Sequence, residues 1–283
     1  MRARKAPAMD LRIEIEGERV TCKQDGKGAL SMLLRDLLMN LLDHADFRPP
    51  GEPIPETVRF AWRRGDAVVL VLEQKPAMHT VRWLTDDSPA PFGKGATYRE
   101  VRLAFPFVLV IVAFRGGNFT GQQQCFYRRA PLASLEDELL LPNLLNVARA
   151  YGQTCWLCLA NLRKNFAAIS WNERVRAIWS HLFDAGFNAS SEFHEGMSYW
   201  QAMRSVDRRV GSLSAWEAET RKDPFFPLKV EWRTAGKTVG EVMEEMMDRI
   251  SPLKLPSSAF ELLPLMNPPV RRNAAPFSSW LIR

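Results

Sequence analysis

The sequence predicts an α+β fold, in which an antiparallel meander precedes a helical half. Up to residue 127, alternating or β-branched segments dominate, and two of them, Val58–Trp62 and Val68–Glu73, flank an Arg-Arg-Gly-Asp turn typical of a hairpin. After residue 170 the apolar residues recur with helical spacing instead. Because strands and helices are segregated along the chain, the pattern favours α+β over alternating α/β.

The composition is that of a globular protein. The chain has 283 residues, of which 46% are hydrophobic and 25% charged, enough for one large domain or a core with extensions. No apolar stretch reaches the roughly 18 residues of a transmembrane helix, and the N-terminus lacks the apolar region of a secretory signal. Four cysteines argue against a disulfide framework. We therefore expect a cytoplasmic protein without membrane contact, metal or other cofactor.

The chain is modestly basic, with a net charge of +6 and a pI near 9.3. Much of this excess lies near the two ends, at Arg2, Arg4, Lys5, Arg271, Arg272 and Arg283. A basic chain can bind nucleic acid. We favour a solvated basic surface and do not expect nucleic acid as a partner, because no lysine and arginine block is interleaved with aromatic residues.

Residues 1–54 are predicted to form an extension of strands and a helix. Leu11–Ile15 and Arg19–Cys22 are expected to form a hairpin across Gly17. Ala29–Leu42 is very rich in leucine and methionine and is predicted as a helix. The four prolines of residues 47–55 predict a loop before the core begins.

The core continues with three further strands and ends in helices. Thr80–Leu84 alternates, Tyr98–Phe114 is a long β-branched run bent at Pro106, and Gln122–Tyr127 follows a glycine turn. In the helical half, Ser170 and a glutamate three residues later form a capping-box pattern. The predicted helices are Ser170–Phe183, Glu195–Val210, Leu213–Lys222 and Lys237–Arg249.

Cys155 is the candidate catalytic residue. It ends a Gly-x-x-Cys motif, is surrounded by apolar residues and is preceded by Asn143 and Asn146. A thiol can carry a thioester, and a nearby amide can donate to the oxyanion that forms when the thioester is attacked. We expect this cysteine on a turn after the β-rich segment, where these groups form a minimal acyl-transfer site.

Other interpretations of the same residues remain open. A free cysteine is among the most buried residue types, so Cys155 and Cys158 can also be inert core thiols. Together they form a C-x-x-C motif, but we expect no metal because zinc needs a second ligand pair and the four histidines are scattered. The carboxylates of Glu136, Asp137 and Glu138 are candidate bases for an incoming amine, although a solvated acidic loop is the more ordinary role.

Several segments between residues 55 and 190 carry a family resemblance through their order. They are Val71–Leu84, Tyr98–Phe114, Cys125–Leu132, Leu141–Val147, Gly152–Leu157 and Ile178–Asn188. In this order they resemble the ubiquitin-conjugating enzyme superfamily, most of all the prokaryotic ubiquitin-conjugating-like family D, which includes the B protein of the PRTRC system. The resemblance implies a ubiquitin-conjugating-like core at residues 55–190, between the extension of residues 1–54 and a helical, proline-rich extension of residues 191–283.

The resemblance also implies a function. Cys155 would accept a ubiquitin-like modifier protein from an activating enzyme as a thioester and pass it to an amine of a target protein. A JAB-type deconjugating protease is implied as a further partner, and antiphage defence as a setting. The eukaryotic His-Pro-Asn is replaced here by Leu141-Pro142-Asn143. Asn146 fits the spacing better than Asn143, so we favour Asn146 as the oxyanion donor and keep Asn143 as the alternative.

Two functions of other classes remain open. One is a catalytically inactive scaffold of the conjugating fold that binds a ubiquitin-like protein or another partner. The other is a basic nucleic-acid-associated protein of a plasmid-type system. An exposed Cys155 with an asparagine beside it would favour the enzyme, and a buried Cys155 would favour the scaffold.

Overall fold

The computed structural model describes residues 11–24, 27–37, 55–159, 162 and 166–252. It divides the chain into two compact units, one comprising Met1–Phe47 with Leu253–Arg283 and the other Arg48–Pro252. Antiparallel sheets and several helices confirm the α+β class. Within the described ranges, no helix is both long and apolar enough to cross a lipid bilayer.

The first unit contains a three-stranded antiparallel sheet. Its strands lie in the order β1 (Leu11–Glu16), β2 (Arg19–Gln24) and β3 (Lys27–Leu33). The first two strands confirm the predicted hairpin, which turns at Gly17 with a φ of 57°. This φ lies in the left-handed region, which glycine adopts without steric cost.

The predicted helix Ala29–Leu42 is wrong over its first residues, because residues 29–33 belong to β3. In that strand Leu30 lies opposite Cys22, and Met32 lies opposite Val20. The side chains of Cys22 and Val20 are buried, so pairing with β2 overrides the helix propensity of leucine and methionine. Residues 34–37 are helical, and residues 38–42 lie outside the described part of the chain.

The second unit contains the remaining strands. They are β4 (Val58–Arg64), β5 (Ala67–Gln74), β6 (Ala77–Leu84), β7 (Tyr98–Phe105), β8 (Phe107–Arg115), β9 (Asn118–Arg128), β10 (Glu138–Leu140), β11 (Val147–Ala150), β12 (Gln153–Leu157) and β13 (Thr234–Thr238). An antiparallel sheet follows the order β11-β12-β9-β8-β5-β4, with β10 pairing to both β9 and β13. The predicted strands of the meander are confirmed.

Two prolines divide a long two-stranded ribbon into two sheets. β5 pairs with β8 as far as Gln74 and Val108, and β6 pairs with β7 from Ala77 and Phe105 onward. Pro76 and Pro106 fall opposite each other in the gap. Because proline has no N–H to donate, neither strand can continue the ladder at this point. The predicted bend at Pro106 is therefore confirmed, and β6 and β7 form a separate two-stranded sheet.

The first helix of this unit begins as its capping pattern predicts. Helix α1 (Trp171–Asp184) has Ser170 as its N-cap, and the hydroxyl of Ser170 accepts from the N–H of Glu173 at 3.3 Å. The carboxylate of Glu173 accepts from the N–H of Ser170 at 2.9 Å, which completes the capping box. The helix packs against β6 with Val175, Ile178 and Leu182 buried.

The predicted helix Glu195–Val210 is wrong. The predicted range contains the short helix α3 (Tyr199–Met203) and a 3₁₀ turn at Arg208–Val210, and a second short helix, α2 (Ser190–His194), ends just before it. Between α2 and α3, Gly196 has a φ of 106°, a left-handed conformation that a helix cannot contain. Two short helices can turn over the sheet where one long helix could not.

Two longer helices complete the unit. Helix α4 (Leu213–Lys222) confirms its prediction and lies along the open edge of β7. Helix α5 (Val239–Ile250) begins two residues later than predicted, because Lys237 and Thr238 belong to β13. It packs against β5 and β8 with one apolar face, formed by Val239, Val242, Met243, Met246, Met247 and Ile250.

Candidate functional site

Cys155 lies on β12, the second strand of a β-hairpin, so the prediction that it lies on a turn is wrong. β11 and β12 pair in antiparallel register, and Ala150 lies opposite Gln153 across the turn. The central residues Tyr151 and Gly152 have φ values of 51° and 70°, which corresponds to a type I′ turn. Arg249 of α5 donates to the carbonyl of Gly152 at 2.6 Å and ties this turn to the helix.

Cys155 lies inside the core. Its side chain is 0% exposed, and its backbone N–H donates to the side-chain oxygen of Gln124 at 3.1 Å. Burial is the main reason why the pKa of the Cys155 thiol is raised well above its ordinary value, and the neighbouring Cys125 raises it further. The thiolate is the reactive form of a cysteine, and in this arrangement burial favours the protonated thiol of Cys155.

Buried glutamines, which the sequence analysis did not single out, attach β12 to β9. Gln153 accepts from the backbone N–H of Gln123 at 2.9 Å, and the amide of Gln123 donates to the carbonyl of Leu157 at 2.9 Å. These side chains are at most 4% exposed. The signal in the sequence is the Gln-Gln-Gln run of residues 122–124 inside a predicted strand, where polar residues on both faces are unusual.

Alternation along β12 separates the two thiols. Gln153, Cys155 and Leu157 project towards the core, so the opposite face carries Trp156 and, one step past the strand, Cys158. Two residues three positions apart in an extended strand have Cα atoms ~10 Å apart, too far for a disulfide. The C-x-x-C motif is therefore no redox pair in this fold.

Asn146 shares a face with Cys158 and not with Cys155. Val147 lies opposite Leu157, and the backbone N–H of Cys158 donates to the carbonyl of Asn146 at 2.8 Å. This hydrogen bond extends the ladder and places Asn146 directly opposite Cys158. Residues directly opposite in an antiparallel pair project to the same face, with Cβ atoms roughly 5 Å apart. Cys158 is half-buried, and its sulfur lies 3.8 Å from the hydroxyl of Ser190.

Asn143 is fully buried in the loop between β10 and β11. Neither polar atom of its side chain has a hydrogen-bond partner, and the side-chain oxygen of Asn146 also lacks one within the described part of the chain. Among the described residues, no hydrogen bond joins either amide to Cys155. The structure thus brings Asn146 to Cys158, whereas the roles predicted for Cys155, Asn146 and Asn143 in catalysis stay predictions.

Tyr199 is a further group beside the buried thiol that sequence reasoning missed. Its hydroxyl donates to the carbonyl of Thr154 at 2.8 Å, and it lies close enough to Cys155 to affect the titration of both groups. Burial and the neighbouring thiol raise the pKa of Tyr199. Ser198, the residue before it, pairs with Ala148 of the edge strand β11, so α3 begins at the edge of the hairpin. No local pattern in the sequence indicates this contact.

Three acidic residues, at positions 136–138, precede Cys155 in the sequence, and two of them make structural contacts. Asp137 forms a salt bridge with Arg128 and accepts from two backbone N–H groups, at 2.7 and 3.0 Å. Glu138 accepts from the hydroxyl of Thr234 in the neighbouring strand β13. Glu136 is exposed. In the described ranges, no three histidine, cysteine, aspartate or glutamate side chains are grouped so that they could hold a metal ion.

Comparisons with known proteins returned no match. Neither the protein-family models, nor the curated proteins, nor the solved structures contain a counterpart of significant similarity to this chain.

Proposed function

We propose that this chain acts in a ubiquitin-like conjugation system as a binding protein without thioester chemistry of its own. The order of its motifs supports the link to such systems. The burial of Cys155 is the observation that favours binding over catalysis, because thioester exchange requires the thiolate to reach an acyl group on another protein. A thiol that is 0% exposed, with a raised pKa, does not meet this requirement.

A surface suited to binding lies beside the hairpin. Tyr151, Phe193 and Met197 are 67%, 67% and 72% exposed, and we call these three residues the hairpin face. The hydroxyl of Tyr151 donates to Glu195, which lies between the other two along the chain. Aromatic and methionine side chains are enriched in protein interfaces, so these three exposed side chains are candidate contacts for a partner.

The backbone at Tyr151 also supports this role. Its φ of 51° is uncommon for a residue that is neither glycine, asparagine nor aspartate, and it costs of order 1 kcal/mol. The turn thereby presents the ring to solvent, packed edge-on against Trp156 with a centroid distance of 5.0 Å. Strained backbone conformations concentrate at functional sites, so the exposed ring is a candidate anchor for a partner.

Binding and charging assays test this proposal together. A ubiquitin-like modifier and an activating enzyme from the same organism are mixed with the chain and ATP, and a non-reducing gel detects thioester adducts. We expect no thiol-sensitive adduct on the wild-type chain. We expect calorimetry to detect binding of the modifier to the wild-type chain. The substitutions Phe193→Ala and Met197→Ala should weaken this binding, and Cys155→Ala should leave it unchanged. Phe225→Ala is the matched control, since Phe225 is exposed but lies outside the hairpin face.

A conjugating enzyme is the second candidate function, and the juxtaposition of Asn146 and Cys158 favours it. Cys158, one residue past β12, is more accessible than Cys155, and Asn146 lies opposite it on the same face. An amide donor to an oxyanion is typically worth ~3 kcal/mol in the transition state. An adduct that disappears in Cys158→Ala would support this enzyme, and an adduct that disappears only in Cys155→Ala would support the predicted catalytic cysteine.

A further inference from the structure

A cleft of about 360 Å³ lies between the end of β6 and the segment that carries α2 and α3. Backbone hydrogen bonds fix its walls. Leu84 donates to Phe187 at 2.9 Å, and Ala189 donates to Pro91 at 3.1 Å. Its volume is in the range of small-ligand sites. Nothing in the proposed binding to a modifier uses this cleft.

Two indole rings line the cleft. Trp83 and Trp200 are edge-on to each other with ring centroids 4.8 Å apart. Trp83 also stacks on Phe187 at 5.2 Å, and Trp200 stacks on Trp216 at 6.2 Å. These aromatic contacts hold both rings in place and leave them 3% and 8% exposed, so each ring presents only a small part of its surface to the cleft. An indole is the aromatic side chain that best attracts a cation.

The charged residues that line the cleft are both acidic. They are Asp86 and Glu192, and no lysine, arginine or histidine is among the described residues of the lining. Among the described residues neither carboxylate forms a salt bridge, and Glu192 is oriented by the hydroxyl of Ser198. The chain as a whole carries a net charge of +6, so this negative cleft is a local exception.

We propose that the cleft binds an organic cation, the ammonium of a lysine or the guanidinium of an arginine, between its two carboxylates and its two indoles. Carboxylates supply charge-assisted hydrogen bonds, and the indoles together with Leu145 contact the aliphatic stem. The cation is either a side chain of a protein partner or a free polyamine.

A binding experiment with small cations tests the proposal. The probes are Nα-acetyl-lysine methylamide, its neutral Nε-acetylated form, and putrescine, titrated into the full chain while the tryptophan indole N–H signals are followed by NMR. We expect the lysine probe to shift the signals of Trp83 and Trp200 in a saturable way, and the neutral probe to bind at least about tenfold more weakly. Tighter binding of the lysine probe than of putrescine indicates a protein side chain, and the reverse order indicates a free polyamine.

Charge-neutralising variants provide the second arm. The double variant Asp86→Asn with Glu192→Gln keeps the shape of both side chains. We expect it to bind the lysine probe at least about tenfold more weakly than the wild-type chain does. Asp87→Asn is the matched control, because Asp87 is exposed beside Asp86 but does not line the cleft, and it should change affinity less than about twofold. Equal binding of the neutral probe, unchanged binding to the double variant, or no shift of the two indole signals would overturn the proposal. If the double variant does not fold, the comparison of probes on the wild-type chain still decides.

Discussion

The substitution Thr220→Val is expected to destabilise the protein, although valine is more apolar than threonine. The hydroxyl of Thr220 accepts from the backbone N–H of Ala104 at 3.0 Å, on the edge of β7 that no other strand covers. One turn earlier in α4, the indole N–H of Trp216 donates to the carbonyl of the same alanine at 2.9 Å. Side chains of one helix face thus satisfy both backbone groups of Ala104.

The magnitude follows from burial. Thr220 is 2% exposed and Ala104 is 0% exposed, so water cannot replace the lost hydroxyl. Valine has nearly the shape of threonine and leaves the N–H of Ala104 buried without an acceptor, which costs about 1–3 kcal/mol. Thr220→Ser keeps the hydroxyl and removes one buried methyl group, at a cost of about 0.8 kcal/mol.

Urea unfolding, followed by circular dichroism and tryptophan fluorescence, measures both variants. We expect the free energy of unfolding to fall more for Thr220→Val than for Thr220→Ser, with an unchanged dependence on urea. A valine variant as stable as the wild type would refute the reasoning that α4 closes the edge of β7 through this hydrogen bond.

Three further predictions concern local features of the second unit. Ser170→Ala removes the capping box of α1 and should lower the free energy of unfolding by about 1 kcal/mol in urea titrations, whereas Ser170→Thr should retain most of it. Gly152→Ala forces alanine into a φ of 70° and should lower the thermal midpoint, at a cost of about 1–2 kcal/mol, and an unchanged midpoint would contradict the left-handed conformation of this turn. Burial raises the pKa of Asp137, but two backbone N–H groups and Arg128 outweigh it and hold this pKa below its usual value. Its contribution is therefore fully present above about pH 3.9 and is lost as the pH falls through the lower pKa of the folded state, so Asp137→Asn should destabilise at pH 7 and converge with the wild type in acid.

Features set by neighbouring residues in the chain were predictable. The capping box of α1 depends on Ser170 and Glu173 alone, and the hairpin of β4 and β5 depends on alternation around a Gly-Asp turn. Pro106 marked the bend between two sheets because the missing N–H is a property of the residue itself. In each case the physical cause lies within a few residues of its effect.

Features set by distant residues were not predictable from one sequence. The Leu- and Met-rich segment that begins at Ala29 forms a strand because it pairs with β2. Local propensity depends only on nearby residues in the chain and does not include this pairing. The helix predicted at Glu195–Val210 is divided because Ser198 pairs with Ala148 at the edge of the β11–β12 hairpin and Tyr199 contacts Thr154 of β12. Tertiary contacts outweigh propensity differences of a few tenths of a kcal/mol per residue.

The candidate site illustrates the same limit. Its residues were recognised from their types and spacing, but the face on which each thiol lies depends on the register of the β11–β12 hairpin. That register follows from the Tyr151–Gly152 turn, and tyrosine is not a usual residue at such a position, so the turn has no clear signal in the sequence. The burial of Cys155 depends on β9, far earlier in the chain. Sequence spacing alone therefore paired Asn146 with Cys155, whereas the structure places it opposite Cys158.

Native-state alkylation most directly tests the central claim that Cys155 is a core thiol and Cys158 the accessible one. The folded chain is exposed to iodoacetamide for increasing times, quenched, and mapped by mass spectrometry. We expect Cys158 to react first. Cys155 and Cys125 should each react only when the core opens, roughly 4 × 10³-fold more slowly if opening costs ~5 kcal/mol. If Cys155 is modified as fast as Cys158 while the chain remains folded, Cys155 is not a core thiol. That result would contradict the account and again favour Cys155 as the catalytic nucleophile.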